Sequence, residues 1–244
     1  MMDPDSASRT AGHVVGLWRY PVKSMAGEPL AAVDVGWHGF AGDRRWAFVR
    51  DGTSKQGFPW LSIRQQPAMA RCQPRFEDSG RPDQSPVRVR TPGSGDFDIA
   101  DPALVDALWP DGARLLKLDR GTFDSFPLSL VTTQTIDWLG ARVGRALDLR
   151  RFRMNLVIRA TDDRPFQEDE GLGRTLRIGG VRLRVDKRDG RCVVITTDPD
   201  TLARDPAILR VVAAERDGCL GVYASTVERG RVSVGDAVLD DPPA

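Results

Sequence analysis

The sequence predicts a mainly β fold of the α+β class, barrel-like and built in two parts, with a few short helices. Its 244 residues suffice for one large β domain or two medium ones. Short runs rich in β-branched and aromatic residues recur between Gly, Pro and Asp turn signals, and only three segments carry helix signals. No strand followed by G-x-G-x-x-G is present, which argues against a dinucleotide-binding α/β sheet.

Residues 13–20 (HVVGLWRY) read as a strand halted by Pro21, delivering the loop Pro21-Val22-Lys23-Ser24. A second run, 29–37, ends in glycine turns. Residues 44–49 (RRWAFV) read as a strand with Arg44, Trp46 and Phe48 on one face. A turn at Asp51-Gly52 and the segment 60–64 continue a β-meander. Short strands are expected near 87–90 and 97–99, and Asp101-Pro102 caps a helix over 102–109. A boundary follows near 110–122. Then come a strand at 126–131, a helix capped by a threonine at 132–133, and strands at 151–158, 175–178, 181–185 and 192–196. Asp205-Pro206 opens a last helix through 214, and residues 221–236 read as a closing hairpin.

Composition excludes several classes. Lys plus Arg (35) balances Asp plus Glu (34), which leaves no global field for nucleic acid or anionic lipid. No apolar run approaches the roughly 18 residues needed to cross a bilayer. The polar opening twelve residues resemble no secretory signal, so a cytoplasmic location is expected. Three scattered thiols, Cys72, Cys192 and Cys219, and two histidines, His13 and His38, disfavour a disulfide scaffold, a four-cysteine zinc site and a four-cysteine iron–sulfur cluster. Basic residues are 31 Arg against four Lys (Lys23, Lys55, Lys117, Lys187), a bias a GC-rich genome explains; clustered arginines can still bind phosphate or carboxylate.

Strand alternation through Arg151-Phe152-Arg153-Met154-Asn155 places Arg151, Arg153 and Asn155 together, either a solvated face paired with acids or a clamp for an anion. Cys192 beside Arg191 reads either as a small buried hydrophobe or as a thiolate favoured by the guanidinium. Lys23-Ser24 could hold a phosphate. Thr132-Thr133 is either a plain N-cap or an anion site at a helix start. The acids Asp162-Asp163 and Glu168-Asp169-Glu170 read as a solvated loop or a divalent-cation site.

LWRYPVKSMAG (17–27), GDRRWAFV (42–49), LSIRQQP (61–67), RFRMN (151–155), DGRCVVITTDPDT (189–201) and VSVGDAV (232–238), in this order, resemble the MOSC superfamily, named after the molybdenum cofactor sulfurase C-terminal domain. The resemblance implies an N-terminal MOSC β-barrel domain over 11–115 and a MOSC domain over 116–241, and points to the mitochondrial amidoxime reducing component and its bacterial homologues. It implies a molybdenum cofactor (Mo-molybdopterin) between the two, with no intrinsic iron–sulfur cluster and no pyridoxal phosphate. Cys192 would be the molybdenum ligand and catalytic thiolate. Lys23, Ser24, Arg44, Arg64, Thr132, Arg153, Asn155 and Arg191 would bind the cofactor. The implied reaction is reduction of small N-hydroxylated substrates, amidoximes or hydroxylamines, with electrons from an external flavin, haem or ferredoxin reductase. The alternative is a cofactor or sulfur carrier using Cys192 as a persulfide site.

Overall fold

A computed structural model describes residues 9–51, 59–93 and 95–241. Its strands are β1 (Arg9–Arg19), β2 (Glu28–Leu30), β3 (Ala32–Gly36), β4 (Gly39–Phe40), β5 (Trp46–Arg50), β6 (Gln73–Phe76), β7 (Val87–Thr91), β8 (Gly95–Asp98), β9 (Ala113–Lys117), β10 (Leu128–Thr132), β11 (Leu156–Ala160), β12 (Thr175–Ile178), β13 (Val181–Gly190), β14 (Cys219–Glu228), β15 (Gly230–Ser233) and β16 (Ala237–Asp241). The helices are α1 (Pro102–Leu108), α2 (Thr133–Val143), α3 (Gln167–Glu170) and α4 (Pro206–Arg216).

Seven strands close a barrel in the order β11-β10-β14-β13-β12-β16-β1, with β1 returning to β11, so the mainly β, barrel-containing reading holds. Only β10 and β11 run parallel; that pairing needs a crossover, which α2 supplies. Gly12 permits the seam between β1 and β11, since a Cβ there would lie 2.5 Å from the Arg159 carbonyl oxygen. The first strand of the chain thus completes a barrel otherwise made from the second half, while β5–β9 and β6–β7–β8 form small sheets.

Inward residues such as Val14, Leu130, Ile158, Leu183, Val222 and Val238 form the barrel core, each contributing roughly 1.5–3 kcal/mol by burial. Phe48, Leu61, Met69, Val89 and Leu104 make a second core under α1. Val131, Leu139, Phe152, Ile208 and Val212 pack α2 and α4 on the outside of the barrel. The expected caps are present: Asp101 accepts from Ala103 N, Thr132 from Thr135 N and Asp205 from Ala207 N.

Five expectations are corrected. Arg44 precedes β5 in a left-handed turn, φ 49°, so it does not share a strand face with Trp46 and Phe48. Residues 60–64 hold one bridge, Trp60 to Val49, and then turn, because Gln65 N and Gln66 N both donate to Ser62 O. Within 151–158, Asp148 caps a 3-10 turn over Leu149–Phe152, Arg153 is left-handed and the strand starts only at Leu156. Strand alternation therefore does not govern Arg151 and Arg153. Residues 193–196 are a 3-10 turn rather than a strand, closed where Thr196 Oγ1 donates to Val193 O at 2.7 Å. The final segments form no hairpin: β15 pairs with β3, and β16 with β1 and β12. Gly52, half of the expected Asp51-Gly52 turn, and Lys55 lie outside the described residues.

Candidate functional site

Alternation along β10 and β14 sends Leu130, Val222 and Ala224 into the core and leaves the cross-strand pair Ser129 and Tyr223 on the outer wall. Against that wall lies a cavity of ≈ 140 Å³ whose lining includes Lys23, Ser24, Arg44, Arg64, Arg153, Arg191 and Cys192. A groove of ≈ 620 Å³ adjoins it and shares Ile63, Arg151, Arg153 and Val194.

Three of the residues that face this cavity carry left-handed backbone: Ser24 (φ 69°), Arg44 (φ 49°) and Arg153 (φ 54°). For side chains other than glycine this costs on the order of 1 kcal/mol each or more and persists only where surrounding bonds enforce it. Here they do. Lys23 N donates to Trp46 O at 2.8 Å, and Arg44 N to Tyr20 O at 2.6 Å. Tyr20 N in turn donates to the fully buried Asp43 at 2.7 Å.

Asp43 is the hub of the clamp. It pairs with Arg44 and accepts from Asn155 Nδ2 at 3.1 Å. Asn155 also accepts from Ser129 Oγ at 3.1 Å, so it braces the clamp from behind rather than lining the cavity. Burial works against the charge of Arg44, but Asp43 holds its pKa above the usual arginine range. Lys23 is braced by Thr122 O and Asp124, both at 2.6 Å, and burial lowers its pKa. Arg191 pairs with buried Asp189 at 2.9 Å and donates to Leu220 O and Phe152 O. Burial raises the pKa of Asp189 and of its neighbour Tyr223.

Arg153 differs from the rest. It is half-buried, donates to Met25 O at 2.6 Å and stacks 4.4 Å over the Tyr20 ring, where Arg44 also sits at 4.6 Å. Among the described residues it has no carboxylate partner, and desolvation, reinforced by Arg44, brings its pKa down to about 10. A partly desolvated guanidinium in this state gains from any anion that enters. Cys192 stands half-buried at the cavity edge, where Arg64 hydrogen-bonds its sulfur; that bond raises the pKa of Arg64.

The family profile for the MOSC domain matches residues 117–239, and that for the MOSC N-terminal beta barrel domain matches 11–107. The chain belongs to the MOSC domain family. This MOSC chain is 25% identical to a molybdenum cofactor sulfurase of Caenorhabditis briggsae over 92% of its length and 24% identical to one of Caenorhabditis elegans over 85%. It spans 35% and 32% of those relatives, about a third. The YuaD protein from Bacillus subtilis shares its fold with a TM-score of 0.53 and 13% identity, covering 97% of this chain and 99% of that one.

Of the residues the resemblance assigns, Lys23, Ser24, Arg44, Arg64, Arg153, Arg191 and Cys192 meet around one cavity and Asn155 supports it. Thr132 does not. It faces inward, where its hydroxyl donates to Glu168 at 2.7 Å and caps α2, away from the cysteine cavity. Cys72 is buried in the core under α1, and burial pushes its thiol up to about 11. The acidic segment 162–170 is engaged by Arg164, Arg216 and the two threonines Thr132 and Thr135. The sequence reading missed Tyr20, Asp43, Ser129, Asp189 and Tyr223. The acids had a local signal: Asp43 adjoins Arg44, and Asp189 precedes Arg191 by two.

The donor set fits an anionic cofactor carrying a soft metal. The cavity brings the cationic side chains of Lys23, Arg44, Arg153 and Arg191 together with the sulfur of Cys192, a donor that a soft metal prefers. Among the described residues no three His, Cys, Asp or Glu side chains converge.

Proposed function

We propose that this chain binds Mo-molybdopterin and reduces N-hydroxylated compounds, taking electrons from a separate flavin, haem or ferredoxin protein. The observation that carries this reading is Arg153, a half-buried guanidinium without a carboxylate among the described residues, in the same cavity as Cys192. When bound, the cofactor supplies two electrons and accepts the departing oxygen. The overall change is amidoxime plus two electrons and two protons to amidine plus water. The chain's own residues bind and orient. Arg64 sets its guanidinium beside the Cys192 sulfur, and Asp43 holds Arg44 in place. The ≈ 620 Å³ groove gives room beside the cysteine for a small aromatic substrate.

Purification from a molybdenum-competent host tests this. Near-stoichiometric molybdenum and turnover of benzamidoxime with an artificial donor are expected, both lost in Cys192→Ser and both kept in Cys72→Ala and Cys219→Ala. The two relatives named as molybdenum cofactor sulfurases favour a second reading, in which Cys192 carries sulfur as a persulfide. A Cys192 persulfide without molybdenum would establish that reading in place of the first.

A further inference from the structure

Tyr20, the first residue after β1, is fastened at both ends. Its N–H donates to the Asp43 carboxylate at 2.7 Å, and its carbonyl accepts from Arg44 N at 2.6 Å. At the far end of the side chain the hydroxyl donates to Met154 O at 3.3 Å, one residue beyond Arg153. The residue is 2% exposed, and two guanidinia lie over its ring, Arg153 at 4.4 Å and Arg44 at 4.6 Å from the centroid. Gly27 packs so closely that a Cβ there would stand 2.5 Å from Tyr20 Cε1. One aromatic side chain from the first half of the molecule thus touches both arginines, of which Arg153 comes from the second half.

Two neighbouring guanidinia repel each other, and among the described residues only Arg44 has a carboxylate, that of Asp43. The negative face of an aromatic ring attracts a cation, most strongly where water is excluded. Arg44 also reaches Arg153 directly, its Nη2 donating to the Arg153 carbonyl at 3.0 Å. Both arginines line the cysteine cavity. We propose that Tyr20 is a positioning residue of this cavity: its ring keeps the Arg44 and Arg153 guanidinia in place, against their mutual repulsion, for an oxyanion that enters. The hydroxyl anchors the ring. It is no proton source, since burial pushes its pKa up to about 12 and it stays protonated. The inference rests on the reading of this cavity as an anion site and not on molybdenum.

The test is calorimetric titration of the cofactor-free full chain with inorganic phosphate at constant ionic strength, with the melting temperature of each variant as the check on folding. Saturable one-site heat is expected for the native chain. Tyr20→Phe keeps the ring and should bind within about twofold of native, whereas Tyr20→Leu should bind at least about fivefold more weakly. Combining Tyr20→Leu with Arg153→Gln should cost less than the product of the two single losses, because the ring acts through that guanidinium. No saturable heat in the native chain would overturn the proposal. So would native affinity in Tyr20→Leu, an equal loss in Tyr20→Phe, or single losses that multiply in full. If Tyr20→Leu fails to fold, Gly27→Ala decides, since its methyl group would displace the ring without removing it; weaker phosphate binding is expected, and native affinity would overturn the proposal. Molybdenum content is measured separately: phosphate held through Tyr20 by a chain that takes up no molybdenum would sink the cofactor reading and leave this inference standing.

Discussion

Two cavities of the same volume, ≈ 140 Å³, lie on opposite faces of one strand, one beside Cys192 and one inside the barrel next to α3, and their charges are opposite. β10 feeds both: Ser129 faces the outer cavity, while Leu130 and Thr132 face the inner one. In the outer cavity the group without a carboxylate partner among the described residues is a half-buried cation, Arg153; on the inner side it is a buried carboxyl oxygen of Glu168. The outer cavity is bounded by left-handed loops held by a hydrogen-bonded hub, the inner one by regular barrel strands and the short α3. The outer cavity therefore offers a guanidinium to an anion, and the inner wall holds a carboxyl oxygen that no donor of the described residues reaches.

The largest effect expected is on the outer cavity. Cys192→Ser should lower molybdenum content below about a tenth of the native value while the melting temperature of the metal-free protein stays where it was. Cys192 is half-buried and supports no packing cluster, so metal analysis and calorimetry should separate cleanly.

Arg153→Gln should act in opposite directions on binding and folding. Cofactor content should drop at least tenfold, whereas the cofactor-free protein should melt at the same temperature or higher, because a partly desolvated charge without a carboxylate partner has been removed. A lower melting temperature with unchanged cofactor would reverse the reading of the outer cavity.

Glu168→Gln breaks the comparison from the inner side. An acid whose folded pKa is raised destabilises the fold as pH climbs above its unfolded value, about 4.3, and the penalty grows until pH passes the folded pKa. The variant should therefore gain about 1 kcal/mol over the native chain near pH 8. That gain should vanish below about pH 4, where the native carboxyl is protonated in both states. Denaturant melts at the two pH values check the sign.

The smallest effect belongs to Thr132→Ala, expected to cost about 1 kcal/mol through loss of the α2 cap and to leave molybdenum content unchanged. Loss of metal in that variant would return Thr132 to the cofactor.

The sequence shows the barrel's strands well where apolar alternation is regular, as in β1 and β12–β14, and shows the helices that start with an acid or threonine cap. It misplaces Arg44 and the Arg151–Asn155 segment because alternation presumes an extended backbone, and both stretches turn left-handed where Arg44 N donates to Tyr20 O and the Arg153 guanidinium donates to Met25 O. The outer site is legible only through the ordered MOSC motifs. Asp43 and Asp189 escape notice because an acid beside an arginine looks like an exposed pair until its burial is known. Thr132 is a true cap read in the wrong direction, since parity along β10 points it into the barrel. Nothing local places Glu168 and Asp240 on one cavity; they are 72 residues apart and line it only because β16 and the segment leading to β12 share one mouth of the barrel.

Molybdenum and molybdopterin per chain, measured for the native protein, Arg153→Gln and Glu168→Gln from one molybdenum-competent host, test most directly whether the Arg153 charge selects the ligand. Native protein and Glu168→Gln should each carry close to one of both, and folded Arg153→Gln less than about a tenth. Full cofactor in Arg153→Gln, or its loss in Glu168→Gln, would contradict the assignment.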